Sequence, residues 1–332
     1  MPNRRDAVLD GTLEAARLQR ELELKEKIDF SGGRVDVFTS VIDRGAQLIF
    51  KKLEGLLGAY IPVPAPGILV TTERPLAIQR FTAAHELGHF TLNHRGSLDG
   101  EEILHRSPVV GSYDSNEIGA DAFASEFLVP EWLIDYHAHK QHWSSESLKN
   151  PANVYQLALR VGVSYEAVCW ILLKHKLVVR NVIDGLLAVE RKAIKQQLLG
   201  GHSLPNWFPN VWVLTEKDQG SIIYGEPDDV FVVRLKEHSG SGYLWNIEQV
   251  AAAGFAMVSD ERRPAGKEGE IGGAVERVLM ARSEQPLIGN IDFVETRPWD
   301  RADVFGHFSF AYDFRGKEHG LPRAARERLV AA

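Results

Sequence analysis

The chain has 332 residues, 44% of them hydrophobic and 25% charged, with 29 glycines, 15 prolines and a single cysteine. That composition excludes collagen-like, low-complexity and disordered classes, and the length exceeds what one hydrophobic core organises. A net charge of −7 without a basic stripe speaks against a general nucleic-acid binder, and one cysteine can form neither an intramolecular disulfide nor a cysteine-built zinc site.

The opening residues, Met1-Pro-Asn-Arg-Arg-Asp6, lack the apolar core of a signal peptide. No later stretch is long and apolar enough to span a bilayer, so a cytoplasmic protein without membrane association is expected. In chain order, Val8, Leu9, Leu13, Ala16, Leu22 and Leu24 carry a loose helical spacing over residues 5–28, which Ser31-Gly32-Gly33 breaks. A second helix is expected over 37–55, and Pro62, Pro64 and Pro66 make an extended connection to a short strand at 67–72. Helices follow over 79–92, 116–128 (stopped by Pro130) and 131–142. Asn150-Pro151 reads as an N-cap with proline at the first helical position. It opens a helix pair over 152–160 and 164–176, turning at Gly162, and a last helix over 182–199 ends at Gly200-Gly201.

Beyond Gly201 the pattern changes to short apolar runs between glycines and prolines. In His307-Phe-Ser-Phe-Ala-Tyr-Asp-Phe314, alternation sets Phe308, Phe310, Tyr312 and Phe314 on one strand face. Strands at 230–235, 243–247, 274–280 and 291–295 add to an all-β, immunoglobulin-like sandwich. The expected class is therefore α+β: a mostly helical domain with a small sheet over 1–201, including a helix-turn-helix-like part at 150–200, then a β-sandwich over 202–332. There is no internal repeat.

His85-Glu86-Leu87-Gly88-His89 is the H-E-x-x-H pattern. On a helix its two histidines lie one turn apart on one face, within reach of one ion, and Glu86 is set to take a proton from a water polarised there. Catalytic zinc needs a third protein ligand, and the best candidate is Glu117 in Glu117-Ile-Gly-Ala-Asp121. Asp121, one turn on, would accept the second ring N–H of a liganding histidine. Without the H-E-x-x-H motif, Glu117 and Asp121 would read as a solvated helix face. His94, His105 and Asp114 are alternative ligands that better suit surface or capping roles. Tyr113 could supply an O–H to the developing oxyanion, although packing suits it better.

Arg80-Phe-Thr-Ala-Ala-His-Glu-Leu-Gly-His-Phe90, followed by Glu117-Ile-Gly-Ala-Asp-Ala-Phe-Ala-Ser-Glu-Phe-Leu-Val-Pro130, resembles the ImmA/IrrE family of zinc metallopeptidases. That family carries R-F-T-x-A-H-E-L-G-H and E-x-x-A-N/D-x-F-A-x-x-L-L-x-P, and the resemblance extends over about 35–199. The departures are Phe127 for the usual Leu and Val129 for the common Met, neither at the metal. The resemblance implies a zincin-like domain holding one catalytic Zn²⁺ through His85, His89 and Glu117, with Glu86 as general base. It also implies a regulatory endopeptidase whose partner is a helix-turn-helix repressor of stress or mobile-element genes.

In the helix pair, Ser164 should cap the second helix. A DNA reader needs Arg, Lys, Asn or Gln at that helix start, where this chain has Ser-Tyr-Glu166, so structural or partner-docking use is the expectation and direct nucleic-acid binding is not. Cys169 reads as a packing residue.

The segment from Val232 to Trp245 looks like the first loop region of chagasin-type inhibitors of papain-like cysteine peptidases. These carry N-P-T-T-G-Y-x-W, a G-x-G-G loop and R-P-W at one end of an immunoglobulin-like sandwich. Here Ser241, Gly242 and Tyr243, then Glu270-Ile-Gly272-Gly273, then Arg297-Pro298-Trp299 follow in the same order. His238-Ser239-Gly240-Ser241 stands for N-P-T-T and Glu270 for the first glycine, so the resemblance implies the fold more firmly than inhibition. Trp245 reads equally as core, and Trp299 as a loop-packing residue. These loops could capture a substrate or sensor partner, the favoured reading, cap the chain's own zinc cleft, or inhibit a separate cysteine protease. The leading expectation is a zinc endopeptidase with an appended recognition or autoregulatory domain. The contrasting one is a non-catalytic binding protein with a vestigial metal site, acting as a cysteine-protease inhibitor. A DNA-binding regulator, which should show salt-dependent binding to a duplex, is a third.

Overall fold

The computed structural model describes residues 4–101, 114–264 and 275–331. Compactness divides the chain into two units: Met1–Tyr136 with Val161–Leu177 and Lys317–Ala332, and His137–Arg160 with Val178–Gly316. The units thus part at places other than 201. Within the second unit, Gln156 Nε2 donates to Val211 O at 2.8 Å and Arg160 pairs with Asp218 at 2.8 Å, so helical residues before 161 pack with the β-rich part. Within the first, Glu318 N donates to Gln79 Oε1 at 2.7 Å and Gly320 bridges Phe50, which returns the C-terminal tail to the N-terminal region.

The N-terminal elements are α1 (Arg4–Glu21), α2 (Val37–Asp43), β1 (Gln47–Lys51), β2 (Gly58–Ile61), β3 (Gly67–Thr71), α3 (Leu76–Thr91), β4 (Ser97–Asp99), α4 (Ser115–Leu128) and α5 (Glu131–Gln141). The four strands form one sheet in the order β1-β3-β2-β4, with β4 at an edge. The helix expected over 37–55 is corrected: α2 stops at Asp43 and 47–51 is strand β1. There Leu48 and Phe50 are buried while Ile49 is exposed, the alternation of a strand with one covered face. Its ladder partner, parallel β3, lies twenty residues on, which local periodicity does not reveal.

The next helices are α6 (Pro151–Val161), α7 (Tyr165–Lys174), α8 (Arg180–Ala188) and α9 (Arg191–Leu199). Asn150 Oδ1 accepts from Ala152 N at 2.9 Å and Ser164 Oγ from Ala167 N at 3.1 Å, the side-chain caps expected at those positions. The single helix expected over 182–199 is two helices, because Val189 and Glu190 are extended. Gly200 ends α9 in the left-handed conformation, as a C-terminal glycine does. Cys169 is buried, and burial pushes its thiol up to about 12, which suits packing rather than nucleophilic chemistry. Among the described residues no single helix is long and apolar enough to cross a membrane.

The C-terminal strands are β5 (Val211–Leu214), β6 (Ile222–Tyr224), β7 (Val230–Glu237) and β8 (Leu244–Asn246). After helix α10 (Glu248–Ala252) come β9 (Ala256–Pro264), β10 (Val275–Arg282), β11 (Ile288–Arg297) and β12 (Asp300–Asp313). They make two four-stranded sheets, β5-β7-β10-β9 and β6-β12-β11-β8. Trp212, Phe231, Val233 and Leu279 from the first meet Trp245, Phe293, Phe308, Phe310 and Tyr312 from the second in one buried core. This is a two-sheet sandwich, and the alternating aromatics of β12 line its interior. A last helix, α11 (Arg323–Ala331), closes the chain.

Candidate metal centre

Helix α3 starts after Pro75 and is buried on nearly every face from Gln79 onward. Such a helix carries polar side chains only where they have partners. His85, Glu86 and His89 are all essentially inaccessible. One helical turn apart, the histidines bring their Nε2 atoms to 3.1 Å of each other. Helix α4 presents the second pair. Its N-cap is Asp114, whose Oδ1 accepts from Asn116 N at 3.2 Å, a capping role for one of the alternative ligands. Glu117 then lies 3.3 Å from His85 Nε2 and 3.5 Å from His89 Nε2. Asp121, on the same face, lies 2.9 Å from His85 Nδ1. A bound cation would displace the Nε2 proton of His85, and the Nδ1 side facing Asp121 would then keep the ring oriented toward the centre of the cluster.

Strand β4 supplies groups that local sequence reasoning did not single out. It pairs antiparallel with β2 in the register Gly58↔Asp99 and Tyr60↔Ser97. Ser97 and Asp99 are two apart and so share a strand face, while Leu98 between them is exposed. Asp99 is buried, with Oδ2 3.7 Å from His85 Nε2, and Ser97 Oγ donates to Glu86 Oε2 at 2.5 Å. Gly58 makes room for the base: a Cβ there would sit 2.6 Å from Glu86 Oε1 and 2.4 Å from Thr82 Cγ2. Only the pairing with β2 turns two side chains of Gly96-Ser-Leu-Asp-Gly100 toward α3. His94 also lies outside the donor set. Its Nδ1 is 3.1 Å from His89 Nδ1, so it orients the second histidine. Burial, then the neighbouring His89 charge, pulls His94 down to about 4, which leaves it neutral and able to accept from His89.

The charges around the centre are mutually dependent. Burial disfavours the His85 imidazolium, but hydrogen bonds to Asp121 and Glu117 and the nearby carboxylate charges outweigh it and hold the group up at about 10. Burial raises Glu117 too, yet hydrogen bonds from both imidazoles and their charges hold it far below the carboxylate range. Burial pushes Glu86 up to about 8, against the charge of His85 and with the charge of Asp99. Buried carboxylates facing imidazole nitrogens in this way call for a positive charge between them.

The donor set fits a small divalent cation. One atom from each of His85, His89, Asp99 and Glu117 lies within 4.8 Å of the others. Around zinc, with ligand bonds of about 2.0–2.1 Å, tetrahedral donors stand roughly 3.3–3.4 Å apart. The observed separations of 3.1, 3.3 and 3.5 Å among His85, His89 and Glu117 match that edge. Replacing Asp121 with Ala is expected to weaken divalent-metal binding by about 10–100-fold, because His85 loses the group that orients its ring. Competition against a chromophoric chelator measures this, and unchanged affinity would remove Asp121 from that role.

The loops of the sandwich end are separate from this cluster in sequence. His105, Tyr113, Glu270, Gly272 and Gly273 lie outside the described residues. Ser241 closes a short turn, and Gly242 follows with φ +84°. A Cβ on Gly242 would fall 2.7 Å from the Trp299 ring, so that ring lies over the glycine. Tyr243 donates its O–H to Asp303 at 2.9 Å, and Arg297 stacks over the Tyr243 ring at 4.6 Å while pairing with Asp303 at 3.0 Å. Pro298 joins Arg297 to Trp299, which is 74% exposed. Trp245 is core, its Nε1 donating to Lys236 O at 2.9 Å.

Residues 43–172 match a peptidase family model described as IrrE N-terminal-like domain, a stretch that contains every donor named above. Residues 226–313 match the chagasin family of peptidase inhibitors. No curated protein matches the chain. Among solved structures, the chain is similar to the cysteine protease inhibitor EhICP2 from Entamoeba histolytica, at 20% identity and a TM-score of 0.30, over 32% of this chain and 98% of that one. It is also similar to amebosin, at 19% identity and a TM-score of 0.24, over 31% of this chain and 96% of that one. A third is PbICP-C in complex with falcipain-2, at 14% identity and a TM-score of 0.19, over 33% of this chain and 93% of that one.

Proposed function

We propose that this chain is a cytoplasmic zinc-dependent endopeptidase that cleaves a specific protein partner. The observation that carries the reading is the buried His85–His89–Glu117 triangle with Glu86 beside it, inside a stretch matching a peptidase domain. A divalent cation held there supplies Lewis acidity, polarising a peptide carbonyl and making water more acidic. The chain's own residues do the rest. Glu86, its carboxylate fixed by Ser97 beside the donors, takes the proton from the attacking water and delivers it to the leaving amine. Hydroxide adds to the carbonyl carbon, the C–N bond breaks, and Glu86 is returned as carboxylate. Ser97 fixes the Glu86 side chain, Asp121 holds His85, and His94 holds His89.

The resemblance to the ImmA/IrrE family supports a helix-turn-helix repressor as the substrate, with the sandwich recognising the partner or regulating the peptidase. The full chain, incubated with a repressor encoded beside it, is expected to cut it at one site. Removing the metal with a chelator should slow cleavage by at least about 100-fold, and added zinc should restore it. Cleavage indifferent to the chelator would refute the metal mechanism.

A second reading, cysteine-protease inhibition, is favoured by the chagasin-family match and by Trp299 exposed over Gly242. Titrating the full chain into papain separates the two: tight inhibition without repressor cleavage supports the inhibitor, and cleavage without inhibition supports the peptidase.

A further inference from the structure

We infer that Asp99 is a fourth protein ligand of the metal centre, so that strand β4 holds the centre closed; this rests on the reading that the cluster binds a metal. Four observations converge on it. Asp99 is 3% exposed, and a carboxylate so buried requires a cation or hydrogen-bond donors around it. Its Oδ2 lies 3.7 Å from His85 Nε2, close to the spacing of the other donors, and the four ligand atoms form one cluster. A structural zinc site has four protein ligands, whereas a catalytic one keeps a position for water. With Asp99 joined to His85, His89 and Glu117, this centre has the closed count.

The fourth observation concerns the same strand. Ser97, on the face that carries Asp99, donates to Glu86. Two residues of β4, Asp99 and Ser97, thus occupy the fourth position and tie down the general base. β4 is an edge strand held by a three-residue ladder to β2 and by Leu57 N donating to Asp99 O at 2.7 Å. So short an edge is the cheapest part of the sheet to displace. Moving it would free the fourth position and the base together. The described conformation is therefore a latent peptidase, and Asp99 is the group that makes it so. An alternative arrangement, in which Asp99 only shares a proton with Glu86, would leave the fourth position open.

The test uses the full chain loaded with Co²⁺, whose visible spectrum reports its ligands, and acetohydroxamate as a probe that needs an open position. The native protein is expected to show no spectral change on adding millimolar acetohydroxamate, while Asp99→Ala shifts on titration. Zinc affinity, by competition with a chromophoric chelator, should fall at least about 10-fold in Asp99→Ala. Asp99→Asn, which keeps the volume, guards against misfolding of the alanine variant and should also lose affinity. A native spectrum that shifts as readily as the variant's, or equal zinc affinities, would overturn the inference. That outcome leaves the metal reading standing. A native chain that binds neither Co²⁺ nor Zn²⁺, or a His85→Ala chain that binds them undiminished, would instead refute the metal reading and this inference with it.

Discussion

The Glu86→Gln chain is expected to hold zinc within about 10-fold of native affinity and to cleave its substrate roughly 10²–10⁴ times more slowly. Glutamine has the same length and planarity, so it fills the space that Gly58 leaves. Its amide oxygen can still accept from Ser97 Oγ, the hydrogen bond that fixes the side chain. What it lacks is the ability to take a proton. Burial, together with the charge of Asp99, raises Glu86 above an exposed carboxylate, and this basicity disappears completely in the amide. The metal donors are other residues, so affinity changes only through the lost charge near His85. Single-turnover cleavage and zinc competition on the same preparation separate the two effects. A variant that cleaves at the native rate would exclude Glu86 as the base, and one that loses zinc would make it a ligand instead.

Replacing Arg80 with Met is expected to destabilise the chain by about 3 kcal/mol. Arg80 precedes His85 on the same helix, α3, and is 1% exposed. Its Nε donates to Gly162 O at 3.0 Å and its guanidinium to Val161 O at 3.2 Å. Gly162 has φ +73°, a left-handed turn that ends one helix and leads into α7. The carbonyls at such an end have no intrahelical partners, and a buried charged donor satisfies them. Methionine fills most of the volume but leaves both carbonyls buried and unmet. Lysine carries the charge without the fork, so Arg80→Lys should recover only part of the loss. A urea titration followed by circular dichroism reads the shift in midpoint. A change under about 0.5 kcal/mol would show that other groups satisfy this turn.

The legible part of the site is the part written at helical spacing. His85 and His89, and again Glu117 and Asp121, are four apart, and a helix turns such pairs to one side whatever surrounds it. The same holds for Phe308, Phe310, Tyr312 and Phe314, where strand alternation sets one face and that face lines the sandwich core. Where local pattern was ambiguous it misled. Residues 47–51 fell within the helix expected over 37–55, but their hydrogen bonds come from β3, and the break at Val189-Glu190 carries neither Gly nor Pro to announce it.

By itself, then, the order of residues determined which side chains share an element face: two histidines and a base on α3, two carboxylates on α4, a row of aromatics on β12. Only the tertiary structure decided which faces meet. It brought Ser97 and Asp99 to Glu86 and His85 through an antiparallel ladder with β2, some forty residues earlier in the chain, and it set His94 behind His89. It also drew the C-terminal tail back to α3 through Gln79. The reason is physical: a helix closes its hydrogen bonds within a few residues, so its faces follow from spacing. A strand's partners come from another segment, here for β4 one some forty residues away, and the groups it delivers to a site become visible only once that pairing is made.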